Sequence, residues 1–212
     1  MPNPTPHDRS DQPIMSASRL ELFSDAVFAI SITLLALEIR PPEPSEHLGA
    51  DLLGLWPQFA ALVISFLLIG QVWLNHHAMF TYIKRVDRVL MVLNLLLLLN
   101  VAFLPFSTAV LAEAISTGAG DRAAAVFYGL SLAVGGVFFN AIWAYASAGH
   151  RLLGADITPA QAAVMRRRFA VGPLLYLVAA LVGLVSAVAS LALYAFLLVL
   201  YLAEIAAPRG DR

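Results

Sequence analysis

Two pairs of side chains in this sequence carry the chemistry to move protons or bind ions. Ser24 and Asp25 stand together in the first apolar stretch, and His76 and His77 stand at the end of the second. A carboxylate and an imidazole at matching depth could relay a proton, and an ionisable group inside an apolar span is costly enough to need an explanation. Other chemistries fall away. Adjacent helical residues point about 100° apart, so His76 and His77 cannot easily chelate one ion. Neither has an acidic residue three or four positions away. The chain has no Cys, which removes disulfides, thiolate metal sites and thiol nucleophiles. No Ser/His/Asp constellation and no Gly-rich phosphate loop is present, so no enzyme, catalytic residue, bound cofactor or tight metal site is expected.

The elements that must position these residues are membrane helices. Of 212 residues, 60% are hydrophobic and 13% charged, against about 25% charged in an average soluble domain. The apolar residues form long runs, as membrane spans require. Six spans are predicted: Leu20–Ile39, Leu52–His76, Val89–Leu111, Ala123–Ala148, Phe169–Val185 and Ala187–Ala206, with Gly183, Ser186 and Ser190 as the turn between the last two. The fold class is all-α, a polytopic membrane protein. Residues 1–18 and 208–212 are expected to be disordered cytoplasmic tails around one domain, 19–207, and the start of the chain does not resemble a secretory signal. With the amino terminus cytoplasmic, eleven of the 13 basic residues fall on the inner side and only Arg40 and Arg122 outside. That bias supports an even number of spans with both termini cytoplasmic. The net charge of −1 and the absence of a basic patch give no sign of nucleic acid.

Depth matching groups the polar residues. Asp25 lies about 9 Å along the first helix from Arg19, at 1.5 Å per residue. The second helix runs back, so Asn75, His76 and His77 reach the same level, and Asn94 falls one to two turns into the third. Arg19, Asp25, His76 or His77, and Asn94 are expected to form one hydrogen-bonded layer. It could serve as a lock between helices, or as a proton path in a proton channel or proton-coupled transporter.

A second pattern in the first helix is apolar. Phe23, Val27, Ile30, Leu34 and Leu37 are spaced 4, 3, 4 and 3, a heptad seam that keeps one stripe toward an axis or a neighbouring helix. Ser24, Ser31 and Glu38 form a column beside it, and Thr33 flanks its other side. The seam fits packing within the bundle, and it equally fits the lining of an oligomeric pore, where rings of Ile and Leu can gate by dewetting.

At these residues the chain resembles a known family. Arg19-Leu-Glu-Leu-Phe23-Ser24-Asp25 is similar to the RxxxFSD signature of the endosomal/lysosomal potassium channels, transmembrane protein 175 and its bacterial relatives. Trp73-Leu-Asn75-His76-His77 and the Leu93-Asn94…Leu104-Pro105-Phe106 pattern continue the likeness. The resemblance implies a homotetrameric channel of a bacterial plasma membrane, permeable to potassium and open to the question of other monovalent cations or protons, with the first helices lining the pore. It implies that Ile30 forms the narrowest ring, that Leu34 and Leu37 face the pore beyond it, and that Thr33 matches a threonine near the animal filter. Ala29 stands where animal members have serine. Arg19, Phe23, Ser24, Asp25, Trp73, Asn75, His76, His77 and Asn94 are implied to position the pore helix against the second and third helices.

Overall fold

The computed structural model describes residues 16–206, which form seven α-helices joined by short turns. The predicted tails lie almost wholly outside the described residues. Helix α1 spans Ala17–Leu37 and starts at Ser16, whose side chain accepts from the Arg19 amide. Two prolines at positions 41 and 42 keep the chain from continuing as helix. A short α2, Leu48–Gly54, precedes α3, Trp56–Phe80. The predicted second span therefore starts late: Pro57 fits only in the first turn of a helix, so the chain breaks at Leu55. Helix α4, Arg88–Thr117, is capped by Asp87 on the Leu90 amide and runs through Pro105 to Gly118. Gly118 adopts φ +68°, the left-handed conformation that ends helices. Helix α5 is Asp121–Ser147, followed by one 3₁₀ turn.

Helix α6, Pro159–Gly183, corrects the predicted fifth span, which began at Phe169. Thr158 and Gln161 form a reciprocal capping box, with Pro159 at the first helical position. Arg166, Arg167 and Arg168 thus sit on the helix itself. Helix α7, Ala187–Ala206, keeps its predicted bounds. Ser190 was expected in the turn before it. It lies instead within α7, where its hydroxyl donates to the Ala179 carbonyl at 2.7 Å and staples α7 to α6. Among the described residues, four helices are long and apolar enough to cross a membrane, namely α1, α3, α4 and α5.

Packing proceeds along the chain. Helix α1 lies on α3 and α4, α4 on α5, α5 on α6, and α6 on α7, which returns to α3 and α5. Helices α3–α7 close a bundle, and α1 leans on its outside. In lipid, such helices associate through close packing and interhelical hydrogen bonds. The α5–α6 contact is the tightest. A Cβ on Gly129 would lie 2.6 Å from the Ala180 Cβ and 1.9 Å from the Tyr194 hydroxyl. Above it, Ser65 on α3, Thr108 on α4 and Tyr128 on α5 join hydroxyl to hydroxyl at 2.8 Å, and all three are buried. Pro173 in α6 has no amide hydrogen for the Phe169 carbonyl. Asn140 on α5 supplies one, donating from Nδ2 at 2.9 Å. At one end, the turn after α3 and the loop after α5 are clasped by an isolated antiparallel bridge, Ile83 to Leu153, with the Lys84 and Arg85 amides on the Leu152 carbonyl and the Gly154 amide on Tyr82.

Candidate functional site: one anchored and one open face of helix α1

One face of α1 is buried. Leu20, Ser24, Phe28, Ser31 and Leu35 pack against α3 and α4. Ser24 and Ser31 satisfy their hydroxyl protons on the Leu20 and Val27 carbonyls, both at 2.8 Å, so neither brings an unmet donor into the contact. From that face a chain of hydrogen bonds crosses three helices. Asn94 on α4 donates from Nδ2 to Ser24 Oγ at 2.9 Å, and its Oδ1 lies 2.9 Å from His76 Nε2 on α3. Asn94, Ser24 and His76 are all fully buried. Because Asn94 uses its oxygen toward the imidazole, His76 must carry its proton on Nε2. The chain then has one direction: His76 to Asn94, Asn94 to Ser24, Ser24 to the Leu20 carbonyl. His76 Nδ1 is buried without a partner, as a bare lone pair. The imidazole is stacked on Phe80 at 4.4 Å and flanked by Phe28 at 5.4 Å.

Beside this chain are two more contacts between α1 and α3. Trp73 Nε1 donates to Asp25 Oδ1 at 2.8 Å, and His77 Nδ1 lies 2.8 Å from Glu21 Oε1. Glu21 and Asp25 are one turn apart, as are Trp73 and His77. The helices run in opposite directions, so a step of four up one meets a step of four down the other. His76 and His77 thus enter different surroundings, one buried against Asn94 and one exposed beside Glu21, as the 100° between neighbouring helical residues requires.

The structure brings Ser24, Asp25, Trp73, His76, His77 and Asn94 together, but it departs from the expected positioning network at three residues: Phe23 lies on the open face of α1, 50% exposed, and Arg19 and Asn75 point elsewhere. Arg19 is exposed, and its side chain has no hydrogen-bond or ionic partner among the described residues. Asn75 is turned away from α1 and accepts from the Tyr201 hydroxyl at 2.5 Å, joining α3 to α7. Glu21 was not expected. Its signal was its place one turn before Asp25, on the column that meets α3.

The other face of α1 is open. Phe23, Ile30, Leu34 and Leu37 are 50%, 58%, 38% and 77% exposed, and only Val27 in that stripe is partly covered. The seam therefore does not pack within the subunit, and the internal contact is made by the neighbouring Leu20–Leu35 column. Thr33 is exposed and donates to the Ile30 carbonyl at 2.8 Å, which leaves its oxygen lone pairs available. Such a face needs either lipid or other subunits against it.

Comparison with known proteins agrees with this geometry. The family model described as "Endosomal/lysosomal potassium channel TMEM175" matches residues 19–105, the segment holding every residue of the anchoring network. A potassium channel of Streptomyces collinus is 40% identical over 191 residues, covering 87% of this chain and 91% of the relative. A potassium channel of Chamaesiphon minutus is 39% identical over 189 residues, covering 87% and 92%. The crystal structure of a lysosomal potassium-selective channel TMEM175 homolog from Chamaesiphon minutus superposes with a TM-score of 0.78 at 34% identity, covering 89% of this chain and 97% of the other. The human endosomal/lysosomal proton channel TMEM175 is 36% identical over 103 residues, 44% of this chain and 20% of the relative. The all-helical bundle, the apolar spans and 40% identity over most of the length of a bacterial channel together make this chain a membrane protein of the TMEM175 family of ion channels.

Proposed function

We propose that the chain forms a homotetrameric, potassium-permeable channel of a bacterial plasma membrane. Each subunit crosses six times with both termini cytoplasmic, and four α1 helices surround the pore. The observation that carries this reading is the division of α1 into two faces. One is fixed by a directed hydrogen-bond chain to α3 and α4. The other presents an apolar heptad stripe that, Val27 apart, no described residue of the chain covers. A fourfold axis running along that stripe would collect Ile30 into a ring, with Leu34 and Leu37 beyond it toward the outside. Such a ring strips hydration from a passing cation and can close by dewetting. The Thr33 hydroxyl, which donates to the Ile30 carbonyl, offers an acceptor oxygen beside that ring. Glu38, Glu43 and Glu46 at the outer end would raise the local cation concentration, an effect that salt screens. The bacterial relatives are named as potassium channels, in keeping with this choice of ion.

A second reading, proton conduction, is favoured by the name of the animal relatives and by the Asp25 and Glu21 carboxylates beside Trp73 and His77. The His76 chain is a poor proton wire, because it passes through an amide and ends on a backbone carbonyl. A proton path would have to use the carboxylates.

Potassium flux into liposomes carrying the full chain tests both. Ile30→Asn is expected to raise cation flux and to reduce discrimination among monovalent cations. Flux and selectivity that stay unchanged in Ile30→Asn refute the constriction. An Asp25→Asn variant that loses proton flux while keeping potassium flux would favour the second reading.

A further inference from the structure

Within each subunit, away from α1, helices α3–α7 enclose a cavity of about 330 Å³. Its walls are mostly apolar, yet Arg168 and four carboxamides line it, Gln71 and Asn75 on α3, Asn100 on α4 and Asn140 on α5; Asn75 gives its oxygen to the Tyr201 hydroxyl, which leaves the other three. Their nitrogens are engaged. Asn100 Nδ2 donates to the Ser131 carbonyl, Asn140 Nδ2 to Gly136 and Phe169, and the Gln71 amide lies beside the Tyr176 hydroxyl. Their oxygens are not. Gln71 is 6% exposed and its Oε1 is buried without a partner, and no hydrogen bond from the described residues reaches Asn100 Oδ1 or Asn140 Oδ1. Val101 also lines the cavity, and Pro105 withholds the amide hydrogen that its carbonyl would otherwise accept. The unmet carboxamide groups are therefore acceptors, although buried polar groups are normally paired. The terminal torsion of Gln71 is soft, so its oxygen can swing to meet a donor.

We infer that this cavity is a binding site for a neutral single-chain amphiphile whose head group carries O–H or N–H donors. The head satisfies the carboxamide oxygens, and the saturated chain fills the apolar remainder, in the manner of small-molecule sites that are mainly apolar with a few placed polar groups. Water alone would leave the apolar walls wet. The site shares no residue with the anchoring network, apart from Asn75, which touches α7 and not α1.

The sequence provides a clean test variant. Gly172 lines the cavity, and a Cβ built on it meets nothing within 4 Å. Gly172→Leu should therefore fill the cavity without clash and with improved helix propensity. The probe is a diazirine-bearing octanol irradiated with the full chain in liposomes, with adducts mapped by mass spectrometry. Adducts are expected on cavity residues such as Leu97, Phe169 and Leu197. They should be displaced saturably by 1-octanol in the wild type and fall at least tenfold in Gly172→Leu, while adducts on exposed Leu99 and Val199 persist. Adducts confined to those exposed positions, labelling that octanol does not saturate, or labelling unchanged by Gly172→Leu would overturn the assignment.

Discussion

Replacing Asn94 with Leu isolates the energy of the directed chain that fixes α1. The side chains are close in size, so little packing changes. What is lost is the acceptor for His76 Nε2–H and the donor to Ser24 Oγ, both at 2.9 Å. Ser24 keeps its own proton on the Leu20 carbonyl. Its loss is therefore one bond, about 0.6 kcal/mol on the average for helix contacts in membranes. His76 fares worse. Its N–H is left buried with no partner, a penalty of about 1–3 kcal/mol on top of the lost bond. The single substitution is thus expected to cost about 2–4 kcal/mol. His76→Phe keeps the ring between Phe80 and Phe28 but orphans Asn94 Oδ1, and should also destabilise by about 1–3 kcal/mol. In the double variant neither orphan remains and only the two bonds are lost, about 1 kcal/mol in all, so the two costs should overlap by about 2–6 kcal/mol. Reversible unfolding in mixed micelles, followed by helical circular dichroism, measures all four proteins. Costs that add to within about 0.5 kcal/mol, the additivity expected of independent sites, would refute the directed chain and the assigned His76 tautomer.

Other parts of the bundle yield sharper contrasts. Gly129→Ala should cost about 1–3 kcal/mol by overpacking against the Ala180 backbone side of α6, whereas Gly49→Ala, which meets nothing within 4 Å, should be neutral or slightly stabilising in the same unfolding assay. Asn140→Leu should cost about 1–3 kcal/mol by orphaning the Phe169 carbonyl, and adding Pro173→Ala, which restores the amide hydrogen of α6, should recover much of that loss. Thr158→Ala should remove about 1 kcal/mol of cap energy, seen as faster hydrogen exchange at the Gln161 amide.

The membrane bundle was legible because apolar runs near the length of a span report helices directly. Helix ends were legible wherever a cap or proline was read and not otherwise. Thr158-Pro159-Ala160-Gln161 holds the start of α6 in plain view, but the hydropathy of the three arginines that follow hid it. Depth along a helix could be counted, and it correctly brought His76, Asn94 and Asp25 to one level. Azimuth could not be fixed by counting. Arg19 and Asn75 share that level but point elsewhere, because each residue turns the helix by about 100°. The heptad of α1 announced a stripe, and only the packed structure shows that the neighbouring column takes the internal contact. Which surface covers the stripe is a property of several chains, and one sequence does not carry it locally.

The clasp between the α3–α4 turn and the α5–α6 loop has a bearing on how the protein becomes oriented. In the proposed six-span topology Lys84, Arg85 and Arg151 hold these two loops to the inner side of the bilayer, and the clasp joins the segments that carry them. Once it closes, neither hairpin can invert alone, since reversing one would drag the other across. In that topology the orientation of α3 to α6 becomes a single joint decision.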